Sequence, residues 1–149
     1  MADKSLHSIC RWTFNPGKGG FVPGDMRPEW GGAFGSPEMI KLVADKIAPR
    51  MPDNVELGIE LHYDAEVDDN NAAAVADALV DNKLYLAMIT PGAHCHFGYG
   101  GVASLDPNER KAAEELGSKT VDLAYSTLKK AWHPDAGKEP SLIIWNGSF

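Results

Sequence analysis

Hydrophobic and polar positions recur along this chain with two alternating periods, two-fold in some stretches and helical in others, as strands and helices taken in turn would produce. Ser8 to Phe14 (SICRWTF) predicts a short strand, and the Gly- and Pro-rich stretch Asn15 to Gly35 predicts a long loop. Aperiodic loops of that length inside a domain tend to be functional. Ser36 suits a helix cap and Pro37 a first helical position, with Met39, Ile40, Val43 and Ile47 as the apolar stripe and Pro49 and Pro52 as the stop. Val55 to His62 (VELGIELH) is the clearest strand: Val55, Leu57, Ile59 and Leu61 take one face, Glu56, Gly58, Glu60 and His62 the other.

Asp68, Asp69 and Asn70 offer caps for a second helix that turns Val75, Ala76, Leu79 and Val80 inward. Lys83 to Thr90 (KLYLAMIT) predicts a third strand, apolar almost throughout as a strand covered on both faces should be. After a second Gly-rich loop, Asp106-Pro107-Asn108-Glu109 combines a cap, an N-terminal proline and a glutamate in the capping-box place. The long helix it opens carries Ala113, Leu116, Thr120, Leu123, Ala124 and Leu128 at helical spacing and ends near Trp132. A last strand, Ser141 to Trp145 (SLIIW), follows Pro140.

The order is β, α, β, α, β, α, β in a single domain spanning 1–149, and right-handed crossovers would make the strands parallel. An open doubly wound sheet normally announces itself by G-x-G-x-x-G between its first strand and first helix. Here the first turn, Asn15 to Gly20 (NPGKGG), has the glycines but no helix behind it. That makes the phosphate cradle a weak signal; an open doubly wound sheet and part of a closed barrel both remain, and the expected fold class is α/β with a parallel sheet, a partial (β/α)8 TIM barrel of the first four strands and three helices.

Composition narrows the function. With 149 residues, 44% hydrophobic and 23% charged, the chain is long enough to bury a real core. A formal net charge of −7, with no local Lys/Arg cluster, argues against nucleic acid as a partner. No run approaches membrane-spanning length, and Met1 to Lys4 lacks the apolar segment of a signal peptide, so a cytoplasmic protein is expected. Cys10 and Cys95 lie in separate apolar regions without metal-motif spacing and read as free buried thiols.

In a barrel of parallel strands the active site gathers at the C-terminal strand ends. Those ends carry Trp12, then His62 with Asp64, then Thr90 with His94 and His96, then Trp145 with Asn146. Flat aromatic walls pack on the C–H faces of a sugar ring while His, Asp and Thr meet its hydroxyls; tryptophan also serves for plain packing. His62 is the leading candidate, sharing a strand face with Glu60 and followed closely by Asp64, a carboxylate that would orient the imidazole. Glu60 itself reads as a structural partner of Arg11 or Lys83. His94-Cys95-His96 is not read as a metal site, because adjacent loop residues rarely all aim at one ion. His7 and His133 read as solvated side chains.

Four segments together resemble the N-terminal half of the xylose-isomerase-like sugar isomerases and epimerases. They are Arg11 to Phe14 through Phe21 and Gly24 to Pro28; Glu60 to Asp64; Ala87 to Thr90 with Gly100 to Ser104; and Leu142 to Trp145. The resemblance runs in order over nearly the whole chain. It implies that His62, with Asp64 as candidate partner, assists sugar ring opening, that Trp12 and Trp145 wall the pocket, and that Thr90 is a polar contact. It also implies that Phe21 is an aromatic offered to a neighbouring subunit and that His94 replaces the family's aromatic, shifting sugar preference. The family's own carboxylate partner lies three residues after the histidine, where this chain has Ala65.

Such enzymes move hydrogen between C1 and C2 of a sugar with two divalent metals (Mg, Mn or Co) acting as Lewis acids, held by residues on the fifth to eighth strands. No metal ligand set or cofactor is expected from this chain itself. The expected function is a fragment or short form of such a protein, lacking the metal-ligand half and so inactive alone as a sugar isomerase. The alternative is a non-enzymatic half-barrel with a remnant carbohydrate pocket. In both readings the expected partners are further copies of the chain, in a homodimer or higher oligomer that completes a barrel or swaps elements, and a small sugar.

Overall fold

The computed structural model of the chain describes residues 4–10, 36–64, 66–92, 97 and 101–144. Their elements run in the expected order: β1 Ser5–Cys10, α1 Ser36–Leu42, β2 Val55–Tyr63, α2 Ala72–Asp81, β3 Tyr85–Pro91, α3 Pro107–Tyr125 and β4 Ser141–Leu142. The strands form one parallel sheet in the order β1-β2-β3-β4. Each strand thus lies beside its predecessor, the arrangement that successive βα units wound in one direction produce.

One hydrophobic cluster holds the helices to the sheet. Leu57, Ile59 and Leu61 of β2 and Leu86 and Ile89 of β3 meet Met39 and Ile40 of α1, Val75, Ala76 and Leu79 of α2, and Leu123 and Ala124 of α3. These are the odd positions of β2, as its alternation predicts; the even ones, Glu56, Gly58, Glu60 and His62, take the opposite face. Val80 departs from expectation: it lies at the rim of the α2 stripe and is 48% exposed, while Ala72, Val75, Ala76 and Leu79 fill the buried face.

Proline and capping chemistry set the helix ends, with some differences from the local reading. α1 continues as a π-helical turn, Val43–Ile47, and a 3-10 turn, Ala48–Arg50, so Pro49 sits within the last turn and does not stop the helix. Met51, which precedes Pro52, is extended at φ −79° and ψ 150°, as a residue before proline prefers. Asp68 organises the approach to α2 by accepting from the backbone N–H groups of Asn70 and Asn71 at 2.8 and 3.0 Å.

Lys83 belongs to the end of α2 and not to β3. It adopts φ 55°, its N–H donates to Val80 O, and the N–H of Leu84 donates to Leu79 O. This is a Schellman closure with lysine in the left-handed position that glycine usually takes, which is why residue type does not reveal it. At α3, Asp106 caps as expected, accepting from the N–H of Asn108 at 2.9 Å. Glu109, however, accepts from the Gly101 N–H and the Ser104 hydroxyl, and Ser104 Oγ takes the N–H of Asp106. The capping-box glutamate therefore ties the preceding loop to the helix.

His133 is buried, contrary to its reading as a solvated side chain. Its Nδ1 accepts from the Asp135 N–H at 3.0 Å, which leaves the hydrogen on Nε2 to donate to Glu56 Oε2 at 2.9 Å. The ring packs on Tyr85, centroid to centroid 4.3 Å. This contact fastens the connection between α3 and β4 to the base of β2, across 77 residues of sequence.

Burial raises the Glu56 carboxyl, but hydrogen bonds from His133 and Lys138 outweigh it and hold the group below its ordinary value of 4.5. A carboxylate with a lowered folded value stabilises the fold above its unfolded value and loses that contribution as pH falls through the folded one. The thermal midpoint is therefore expected to drop between about pH 5 and about pH 3, with that part of the slope missing in Glu56→Gln. Identical slopes in the two proteins would refute the assignment.

Candidate functional site

The C-terminal end of β2 builds the site. After His62 the chain makes a tight turn in which the N–H groups of Glu66 and Val67 both donate to His62 O, at 2.9 and 3.2 Å, and Asp64 N–H donates to Val67 O at 2.8 Å. Asp64 accommodates this by taking the left-handed region, φ 64°. The turn folds the Glu66 side chain back over the strand. Its Oε2 lies 3.0 Å from both the backbone nitrogen and Nδ1 of His62. An ionised carboxylate only accepts, so Nδ1 carries a hydrogen, and Nε2 is the ring nitrogen left on the side of Glu60.

Glu60, two residues earlier on the same face, places Oε1 3.9 Å from Nε2. The imidazole thus stands between two carboxylates. Burial raises the Glu60 carboxyl above its ordinary value, the nearby His62 opposes that rise, and Glu66 adds to it. An acid with a raised folded value favours the fold at low pH and loses that contribution as pH rises through the raised value. Lys83, one of the expected partners of Glu60, is instead the exposed residue closing α2; the other, Arg11, lies outside the described residues.

Thr90 lies beside His62 in the β2–β3 register, and both are buried. Its hydroxyl donates to Pro91 O at 3.3 Å. The structure therefore brings His62 and Thr90 together. Asp64 is exposed on the turn, and the carboxylate against the ring is Glu66. Trp12, Phe21, His94 and Trp145 lie outside the described residues.

Glu66 is absent from the candidates that the sequence supplies. They place the partner of His62 at Asp64, the next carboxylate along the chain, or, by the resemblance, at the position Ala65 occupies. A glutamate flanked by Ala65 and Val67 just past a strand end is the signal that points to it.

Glu66 and Glu60 approach opposite nitrogens of one ring and do not converge on a common point. Among the described residues no group of three His, Cys, Asp or Glu side chains could hold a metal ion. What the arrangement can do is hold and move a proton: a buried imidazole with a fixed tautomer and a second acid within reach. No helix among the described residues is long and apolar enough to cross a membrane. Compared with protein-family models, curated proteins and solved structures, the chain matches none.

Proposed function

We propose that this chain is the N-terminal half of a sugar-handling (β/α)8 barrel of the xylose-isomerase-like type, and that its His62 site opens the ring of a small sugar. The observation that carries the reading is the His62–Glu66 pair at the C-terminal end of β2, with Thr90 beside it on β3. An imidazole held between two acids at that end of a parallel strand makes a site suited to proton transfer to or from a hydroxyl. The sequential strand order supports a barrel over a doubly wound sheet, whose order reverses near its middle.

Ring opening requires only proton transfer, whereas hydrogen transfer between C1 and C2 requires the metal-bearing strands of the family. The purified 149-residue protein is therefore expected to accelerate the anomerisation of D-xylose, followed by polarimetry, and to lose this in His62→Gln. It is expected to interconvert no aldose and ketose with Mg2+, Mn2+ or Co2+. Anomerisation no faster than in buffer would refute the sugar-handling reading, and metal-dependent isomerisation would refute the half-barrel reading.

We also propose that the chain self-associates. Among the described residues β1 and β4 each pair on one side alone, and β4 makes only two residue pairs, Met88 with Ser141 and Ile89 with Leu142. Leu142 and Ile144 beside that edge are 40% and 51% exposed. Unpaired edge groups with apolar neighbours favour addition of another strand. Sedimentation at micromolar concentration is expected to show a dimer or larger species, and a stable monomer would contradict this.

A further inference from the structure

We propose that Glu60, not His62, is the group that meets the ligand, and that His62 acts through it as a positioning residue. This rests on the sugar-handling reading above but concerns a different residue. The observation is a gradient of access across three ionisable side chains in a row. The Glu66 side chain is 0% exposed, that of His62 is 2%, and that of Glu60 is 17%. Of the three, Glu60 is the one a molecule arriving on the sheet face opposite the helices can touch.

The groups around Glu60 suit it to proton exchange. Its register neighbours on that face are Cys10 of β1 and Met88 of β3, a thiol and a neutral thioether. Its ionisable neighbour at ion-pair distance among the described residues is His62, 3.9 Å away, and Glu66 acts on it from behind the ring. No lysine or arginine among the described residues forms an ion pair with Glu60, so nothing there locks it as a carboxylate. Glu66 holds His62 through Nδ1, which leaves Nε2 facing Glu60.

The ligand class is a cyclic hemiacetal sugar. Glu60 in its protonated form gives its proton to the ring oxygen as the C1–ring-oxygen bond breaks, the electron pair staying on that oxygen. The C1 hydroxyl loses its proton to the other carboxyl oxygen of Glu60, and its O–H pair becomes the second bond of the C1 carbonyl. Glu60 ends protonated as it began, and no oxidant, reductant or metal is consumed. His62 and Glu66 keep their protonation states throughout and set how tightly Glu60 holds its own proton.

The experiment follows D-xylose anomerisation by polarimetry across pH for the 149-residue protein, Glu60→Gln and Glu60→Asp, with circular dichroism confirming that each is folded. The carboxyl carbon of Glu60 is titrated in parallel by NMR, in the wild-type protein and in His62→Gln. Glu60→Gln is expected to lower the protein-dependent rate at least about tenfold and to flatten its pH profile, with part of the rate restored in Glu60→Asp. In the titration, Glu60 is expected to lose its proton at higher pH once His62 is replaced. A folded Glu60→Gln with the wild-type rate and profile overturns the proposal. If the wild-type protein does not accelerate anomerisation, the sugar-handling reading fails, and the titration decides the pair separately: an unmoved Glu60 curve in His62→Gln overturns it. Should His62→Gln not fold, Glu66→Gln takes its place, with a displaced Glu60 curve supporting the pair and an unmoved one overturning it.

Discussion

Replacing Glu66 by alanine is expected to destabilise the protein by about 2–5 kcal/mol, because two buried donors lose their acceptor at about 1–3 kcal/mol each. Glu66 Oε2 accepts two hydrogens, one from the backbone nitrogen and one from Nδ1 of His62. Both donors lie where His62 is 1% exposed, so water cannot take over without opening the turn. A domain of this size has only about 5–15 kcal/mol of stability to lose. Urea unfolding should show a lower midpoint with little change in slope. Glu66→Gln keeps the shape and one acceptor oxygen, and should cost less than half as much. Equal losses in the two variants would mean that packing and not hydrogen bonding holds this turn.

Gly58→Ala should cost about 1–3 kcal/mol, as overpacking a close-packed interior does. Gly58 lies on β2 next to β3, and a Cβ there would come within 2.5 Å of Ala87 Cβ and 3.1 Å of Tyr85 O. The first contact is with another side chain and the second with backbone, so the double variant Gly58→Ala, Ala87→Gly should recover only part of the loss. Thermal unfolding of the wild-type protein and both variants measures this. Full recovery would show that the backbone contact relaxes freely.

The glycine has a functional consequence through the register. Ile59 pairs with Leu86 while Glu60 pairs with Met88, so Ala87 is an extra residue on β3 at this point. That irregularity brings Thr90 alongside His62; in an uninterrupted ladder Ile89 would stand there. A side chain at Gly58 presses on the extra residue itself, so the same substitution should disturb the His62–Thr90 pairing as well as stability.

Much of the architecture is legible in the chain because it is local. Alternation in VELGIELH assigns the two faces of β2, and the Asp106-Pro107 start of α3 has the chemistry of a helix cap whatever surrounds it. The order of elements follows from the same periodicities. Where the local signal is ambiguous, boundaries move: Lys83 closes a helix although its residue type favours neither that nor a strand, and β1 occupies Ser5–Cys10 where the apolar run suggests a start at Ser8.

Residue types and their order thus suffice to say which segments become helices and strands, which of their positions are apolar, and that His62 ends a strand. The choice of partners is made in three dimensions. Glu66 rather than Asp64 faces the imidazole because the turn at Asp64 reverses the chain over the strand. His133 is buried because Glu56, distant in sequence, and Tyr85 meet it across the sheet. Thr90 reaches His62 because one residue of β3 is left out of the ladder. Periodicity records whether a position is buried, through the free energy of removing apolar surface from water, and that quantity depends on residue type. Hydrogen-bond and ion-pair partners depend on distances of a few ångströms between segments, which the backbone path sets.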